Sequence, residues 1–234
     1  MKKISSLAIL VLIFPLLNGV AFADFDSNSA KITNQYFPVQ EGDWFKYVGY
    51  GEEMAGETET WKFLGTEFVK SVNCLKLEVK VEGDVATVWI AQDTDGNVWL
   101  LKIIMEEGVF NLGSGISNPF VYAEPKVGDR LSNIFPESAG TYGEVTEIGV
   151  DVNLSTSLGP YENCIKITDY FDYEVEDIEY YCPEIGLVKS IHIAEGPPET
   201  GMELSEFGND EPEPDSPVQD KKAMPWIPLL LHDD

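Results

Sequence analysis

The sequence predicts an all-β protein, a tandem duplicated antiparallel meander forming a curved sheet, half-barrel or sandwich. Three observations carry that prediction. From about Lys31 to Ile193 the apolar residues do not recur at helical spacing. Short runs rich in Val, Ile, Tyr, Phe, Trp and Thr are punctuated instead by Gly, Asn, Asp and Pro, the pattern of short strands joined by turns. Part of this pattern also occurs twice. The stretch holds roughly 160 residues, enough for one domain with a core of its own.

The chain opens with Lys2 and Lys3, an apolar run from Ile4 to Leu17, and Ala21-Phe22-Ala23 before Asp24. A basic start, an apolar core too short to span a bilayer and small residues at a cleavage position describe a secretory signal peptide over 1–23. The expected location is periplasmic or extracellular, with no transmembrane segment once the signal is removed. Its removal leaves thirteen basic against forty-one acidic residues, a net charge of about −28. A field of that sign repels nucleic acid and anionic lipid surfaces, and nucleic acid is not an expected partner.

The all-β domain is expected over 24–194. Its clearest strands are "LKLEVKV" (75–81), "VATVWIA" (85–91), "NVWLLKI" (97–103), "CIKITDY" (164–170), "DIEYY" (177–181) and "LVKSIHI" (187–193). Two repeats, about 36–104 and 120–193, are marked by matched segments. Asn73-Cys74-Leu75-Lys76 matches Asn163-Cys164-Ile165-Lys166, and Gly96-Asn97-Val98 matches Gly186-Leu187-Val188, at one common spacing. "EGDWFKYV" (41–48) matches "VGDRLSNI" (127–134) at a slightly shorter one. Two such units are expected to share one core, because packing them together closes edges that separate sheets would expose.

"QDTDGNVWLL" (92–101) is the nearest approach to a metal motif, with oxygens at Asp93, Asp95 and Asn97. A helical calcium loop needs a bidentate Glu at its twelfth position, and that position holds Ile104. Asp95-Gly96 is a strong hairpin signal, and the second copy keeps the glycine while dropping the acids. A hairpin turn is therefore expected here and no metal.

In an oxidising compartment a bridge among Cys74, Cys164 and Cys182 is expected. Cys164 and Cys182 lie symmetrically about Tyr173 and face each other in a hairpin centred there. A register shifted by one pairs Ile167 with Ile178 and Lys166 with Glu179, which suits polarity better and turns the two sulfurs to opposite faces. Cys164–Cys182 is thus one candidate disulfide, and Cys74 with either of the others is its rival.

No catalytic, cofactor or metal residue is predicted. His192 sits in a strand pattern and His232 near the terminus; neither has a companion at ligand spacing, and no nucleophile elbow, zinc helix or phosphate loop occurs. Carboxylates are too numerous for a catalytic pair to stand out. Trp44, Tyr47, Trp61, Trp89, Trp99, Tyr180 and Tyr181 suit a core, cross-strand pairs or a ligand groove. Residues 195–222, rich in Glu, Asp, Pro, Gly and Ser, read as an acidic disordered tail, and 223–234, with "PWIPLLL", as an apolar C-terminal segment.

"LGPYENCIKI" (158–167) followed by "EYYCPEIGLVK" (179–189), and "YFPVQEGDWFKYV" (36–48), resemble a recurrent pattern in uncharacterised exported bacterial β-proteins. The resemblance covers most of 36–191, and its motifs are turn and strand signals. It implies a secreted or periplasmic β-protein akin to the curved sheets of periplasmic lipoprotein carriers, with no catalytic residues. This chain departs from the pattern in lacking a lipid-attachment cysteine and in adding the acidic tail. The expected function is an exported non-enzymatic β-protein that binds an apolar small molecule or an envelope protein partner. The alternatives are a carboxylate-dependent hydrolase, or a structural or assembly component that uses the C-terminal apolar segment.

Overall fold

A computed structural model of the protein describes residues 23–209, apart from 53, 82, 106–107, 112–117, 133–140, 172–173 and 194–198. The expected signal peptide up to residue 22, the tail from residue 210 and the apolar segment 223–234 lie outside the described residues. The described strands are β1 (Trp44–Tyr50), β2 (Thr58–Val69), β3 (Val72–Val81), β4 (Asp84–Gln92), β5 (Val98–Met105), β6 (Gly108–Asn111), β7 (Arg130–Leu131), β8 (Tyr142–Asn153), β9 (Pro160–Phe171), β10 (Glu174–Cys182), β11 (Gly186–His192) and β12 (Thr200–Gly208). They form one antiparallel sheet in the order β6-β5-β4-β3-β2-β1-β12-β11-β10-β9-β8-β7. Of the three architectures compatible with the sequence, the curved sheet is the one adopted.

The curvature follows from where the side chains meet. Val88 on β4 and Asp169 on β9 line the same cleft, although seven pairings separate their strands. In a flat sheet those strands would lie roughly 34 Å apart. The sheet therefore bends into a trough, and its concave face carries one core with side chains from both halves, Leu75, Val79 and Ile90 with Val145, Ile167 and Tyr181. Phe37, from the segment before β1, plugs the trough. Its ring meets Phe120 at 5.5 Å, Phe63 at 6.1 Å, and Trp61 and Tyr181 at 6.3 Å.

The junction between the halves corrects the reading of the tail. Residues 200–208 lie within the expected disordered region, yet they form β12, which pairs with β1 on one side and β11 on the other. "TGMELSEFG" alternates in period 2. Met202 and Leu204 are buried in the core, while Glu203 and Glu206 meet Lys189 at 3.0 Å and Lys46 at 3.6 Å. Acidic composition hid a strand whose charges are neutralised by its neighbours.

The two matched turns are built alike. Gly42 and Gly128 have φ of 90° and 92°, and each donates its N–H across to a strand carbonyl at 2.8 Å, Phe63 in one turn and Val145 in the other. Asp43 and Asp129 each accept an N–H three residues upstream, from Gln40 at 2.8 Å and Lys126 at 2.7 Å. The surroundings of the matched cysteines differ. Asn163 adopts φ of 58° inside an irregular β8–β9 register, and Cys164 joins the main core. Cys74 points to the opposite, outer face, into a separate cluster with Trp89 and Leu101 that Phe25 covers.

Cys164 and Cys182 are joined by a disulfide, with Cα atoms 4.1 Å apart. The register at that point pairs Ile165 with Tyr181 and Ile167 with Glu179, so the alternative with Ile167 opposite Ile178 is not adopted. That alternative rested on pairing Lys166 with Glu179. Lys166 finds its acid on the other neighbour instead, with Nζ 3.0 Å from Glu147 on β8. Cys74 is free and buried, and burial pushes its thiol up to about 11. Thiolate is the reactive form. A thiol reagent is expected to find no cysteine in the native mature protein and one in urea; three in urea would mean that the bridge does not form.

Candidate functional site

The concave face is layered by cross-strand pairing. One row holds Ile165, Tyr181 and Leu187 on β9 to β11, and the next holds Val145, Ile167, Glu179, Ser190 and Met202 on β8 to β12. The third row, towards one end of the trough, is Gly143, Asp169, Asp177, His192 and Thr200. Polarity thus rises in steps of two residues along the strands, because alternate residues share a face. The register shift between Val175 and Asp177 marks Glu176 as an extra residue, so two consecutive acids, Glu176 and Asp177, both line the cleft.

This acidic row faces an apolar wall. Val79, Val88, Ile90 and Leu100 from β3 to β5 line the other side of a cavity of about 120 Å³. Trp61, Tyr47 and Tyr181, three of the aromatics singled out in the sequence, also line it. Trp89 and Trp99 belong to the outer face, and Tyr180 packs against the core. Tyr47 Oη donates to the carbonyl of Leu187 at 3.1 Å, tying β1 to β11 across the floor. Trp61 Nε1 donates to Glu59 Oε1, which is how a buried carboxylate is tolerated there.

The acids are crowded. Asp169 and Asp177 are direct cross-strand partners, a placement that is unfavourable for like charges. Burial holds the Asp169 carboxyl well above its ordinary range, and Glu179, Asp177 and Glu176 add to the shift. Burial pushes Glu179 up to about 7, with Asp177 and Glu59 reinforcing it and a hydrogen bond from the Tyr181 phenol opposing it. Glu176 is also raised, by burial and then by Asp177, against the pull of His192. His192 Nδ1 lies 2.9 Å from Asp177 Oδ1. A histidine that reads as structural in the sequence therefore sits in the cleft. The signal for the site was a spacing, with acids two residues apart at 177 and 179 facing 169 in the preceding strand, visible only once the register is known.

Gly143 makes the row possible. A Cβ there would lie 2.8 Å from Asp169 Oδ1 and 3.2 Å from Ile167 Cγ2. Gly143→Ala is expected to cost about 1–3 kcal/mol by overpacking and to displace the Asp169 carboxylate. Chemical denaturation and the carboxyl carbon resonance of Asp169 are the two readouts; no change in either would refute this account of the glycine.

The calcium-like loop is the β4–β5 hairpin. Asp93 Oδ1 accepts the Asn97 N–H at 2.8 Å, and Oδ2 accepts Asn97 Nδ2 at 3.0 Å and Trp99 Nε1 at 2.7 Å. Its carboxylate is thus engaged in shaping the turn, where Gly96 takes φ of 88°. Among the described residues no helix is long and apolar enough to cross a membrane.

No family model matches the chain, and no curated protein does. Among solved structures it is similar to a protein described as exported, with a YmcC-like fold, from Bacteroides fragilis. That match has 16% identity, covers 74% of this chain and 98% of the other, and has a TM-score of 0.40. A protein described as a lipoprotein, from Parabacteroides distasonis, matches at 11% identity over 75% of this chain and 99% of the other, with a TM-score of 0.36.

Proposed function

We propose that the chain is an exported, non-enzymatic β-protein that binds a small, largely apolar ligand in the trough of its sheet. The observation that carries this reading is the cavity between Val79, Val88, Ile90 and Leu100 and the acidic row. Its size selects among ligands. At about 120 Å³ it is near the engineered cavity of about 150 Å³ that takes benzene and below the roughly 300–1,000 Å³ of drug-sized sites. A small ring or short chain suits it better than a whole lipid. Two features support export. The folded part includes the first residue after the expected cleavage, since the Asp24 carbonyl accepts the Thr94 N–H at 2.8 Å, and the Cys164–Cys182 bridge suits an oxidising compartment.

Methyl NMR of the mature protein with toluene tests the cleft. Shifts are expected at Val79, Val88, Ile90 and Leu100 and not on the outer cluster at Leu101; saturating toluene that leaves those four unmoved refutes the reading. A carboxylate hydrolase is the second reading, favoured by Glu179 near neutrality, which suits a general acid. It requires turnover of a glycoside or ester that Glu179→Gln abolishes.

A further inference from the structure

We infer that the acidic stretch 210–220 of this chain docks on a lysine-bearing patch on the outer face of its own sheet and carries the apolar end that follows it toward the β5–β6 edge. The inference concerns the face opposite the cleft and stands apart from the small-ligand reading. Register builds the patch. Residues that alternate with the core side chains Phe45, Phe63, Leu77 and Val88 point outward, and cross-strand pairing sets them in rows. The central row is Trp44, Lys62, Glu78, Thr87 and Ile104, on β1 to β5. Lys46, Thr60, Lys80 and Val85 flank it on one side, and Leu64, Lys76, Trp89 and Lys102 on the other. Five of the thirteen basic residues of the mature chain thus meet on one patch of a protein with forty-one acids. The rows hold one acid, Glu78, and β12 adds Glu206, which meets Lys46 at 3.6 Å. Lys62, Lys76, Lys80 and Lys102 make no ion pair among the described residues.

The described chain ends at the border of this patch. Gly208 is the cross-strand partner of Trp44, so close that a Cβ there would lie 3.1 Å from the indole, and Asn209 Nδ2 donates to Asp43 Oδ1 at 2.6 Å. Asp210, Glu211, Glu213 and Asp215 come next, with Pro212 and Pro214 between them. Proline has no N–H to add to a sheet edge and holds the chain extended, so such a run meets a sheet through its side chains and loses little entropy in doing so. Its reach is sufficient. From β12 to β5 is five pairings, roughly 24 Å, whereas the segment 210–222 spans about 40 Å when extended. The order of chemistry also matches. Acids come first along the tail, and Lys62 and Lys80 come first along the face. The apolar residues from 223 onward then arrive where Ile104 is half-buried and Val85 and Val109 are 45% and 56% exposed. A foreign polyanion would have to approach a chain of strongly negative net charge. The tail is instead tethered beside the patch and meets it at the high effective concentration of a short linker. Single exposed pairs are weak and screened by salt, so the contact depends on several forming together.

The test uses the full mature chain with Ser216→Cys carrying a nitroxide. Cys74 is buried and the other two cysteines are bridged, so the label attaches at the new position alone. At low salt the amides of Lys62, Lys80 and Ile104 are expected to lose more than half of their NMR intensity while that of Lys166 keeps most of its own, although Lys80 and Lys166 each sit three strands from β12. At about 1 M salt, where charges are screened within a few ångströms, the difference should vanish. Asp210→Asn/Glu211→Gln/Glu213→Gln/Asp215→Asn, which leaves the folded part untouched, should abolish it at low salt. Lys62→Glu/Lys80→Glu should do the same, with folding verified by thermal denaturation. Equal losses at Lys80 and Lys166, losses at neither, or a difference that survives in the neutralised tail would overturn the inference. Broadening that arises only between a spin-labelled copy and an isotope-labelled one would assign the tail to a second molecule and overturn it as well.

Discussion

Phe37→Ala is expected to destabilise the protein by about 3–5 kcal/mol, the range for deleting a buried aromatic ring. In a protein of this size that corresponds to a fall in Tm of about 10 °C. Phe37 is 2% exposed and belongs to no strand, yet its ring touches β2 through Trp61 and Phe63, β10 through Tyr181, and Phe120 of the segment before β7. The space it fills is walled by strands that their own hydrogen bonds hold in place, so collapse around the missing ring is limited and the cavity persists. Phe37→Leu should recover more than half of the loss. Urea denaturation followed by tryptophan fluorescence measures both, and a loss below 1 kcal/mol for the alanine variant would show that the ring does not join the two halves of the core.

Stability is expected to fall as pH rises from about 4.5 to about 7, by roughly 2–3 kcal/mol from Glu179 alone. The sign follows from the direction of the shift. Glu179 titrates near 7 in the folded protein against an ordinary value of 4.5, so in that window the native state holds a proton that the unfolded chain has released. The stabilisation is complete below the unfolded value and is lost as pH rises through the folded one. Asp169, raised in the same direction, adds to the slope. Glu203 works at the other end of the scale. Burial would raise it, but the Ser155 hydroxyl and N–H and Lys189 Nζ hold it below its ordinary 4.5, so its contribution is lost only in stronger acid. Glu179→Gln should flatten the profile between pH 5 and 7 and leave the acid limb in place. Denaturation midpoints across that range decide it, and an unchanged slope in the variant would assign the effect to other groups. Carboxyls that weaken the fold they sit in are a common mark of a binding or catalytic site.

Much of this protein was legible in its sequence. The strands 75–81, 85–91, 164–170 and 177–181 lie within β3, β4, β9 and β10, and 97–103 and 187–193 overrun β5 and β11 by one residue each, because each has enough branched and aromatic residues for period and propensity to agree. The hairpin at Asp95-Gly96 was equally plain, since positive φ restricts the residues that fit. β12 was not legible. Its acidic residues and flanking prolines dominate any average over the segment, and their charges become tolerable only beside Lys189 and Lys46, which are distant in sequence.

By itself the chain determined its class, its alternation of faces and its turns, all of which depend on residues within a few positions of one another. The tertiary structure alone decided the β9–β10 register, the curvature and the cleft. Lys166 had two acids within reach, and only the arrival of β8 settles which one it takes; with that choice made, Glu179 is released to the concave face beside Asp169 and Asp177. Charge pairing between strands is a competition among neighbours that meet only after folding, and the site exists because of how that competition ends.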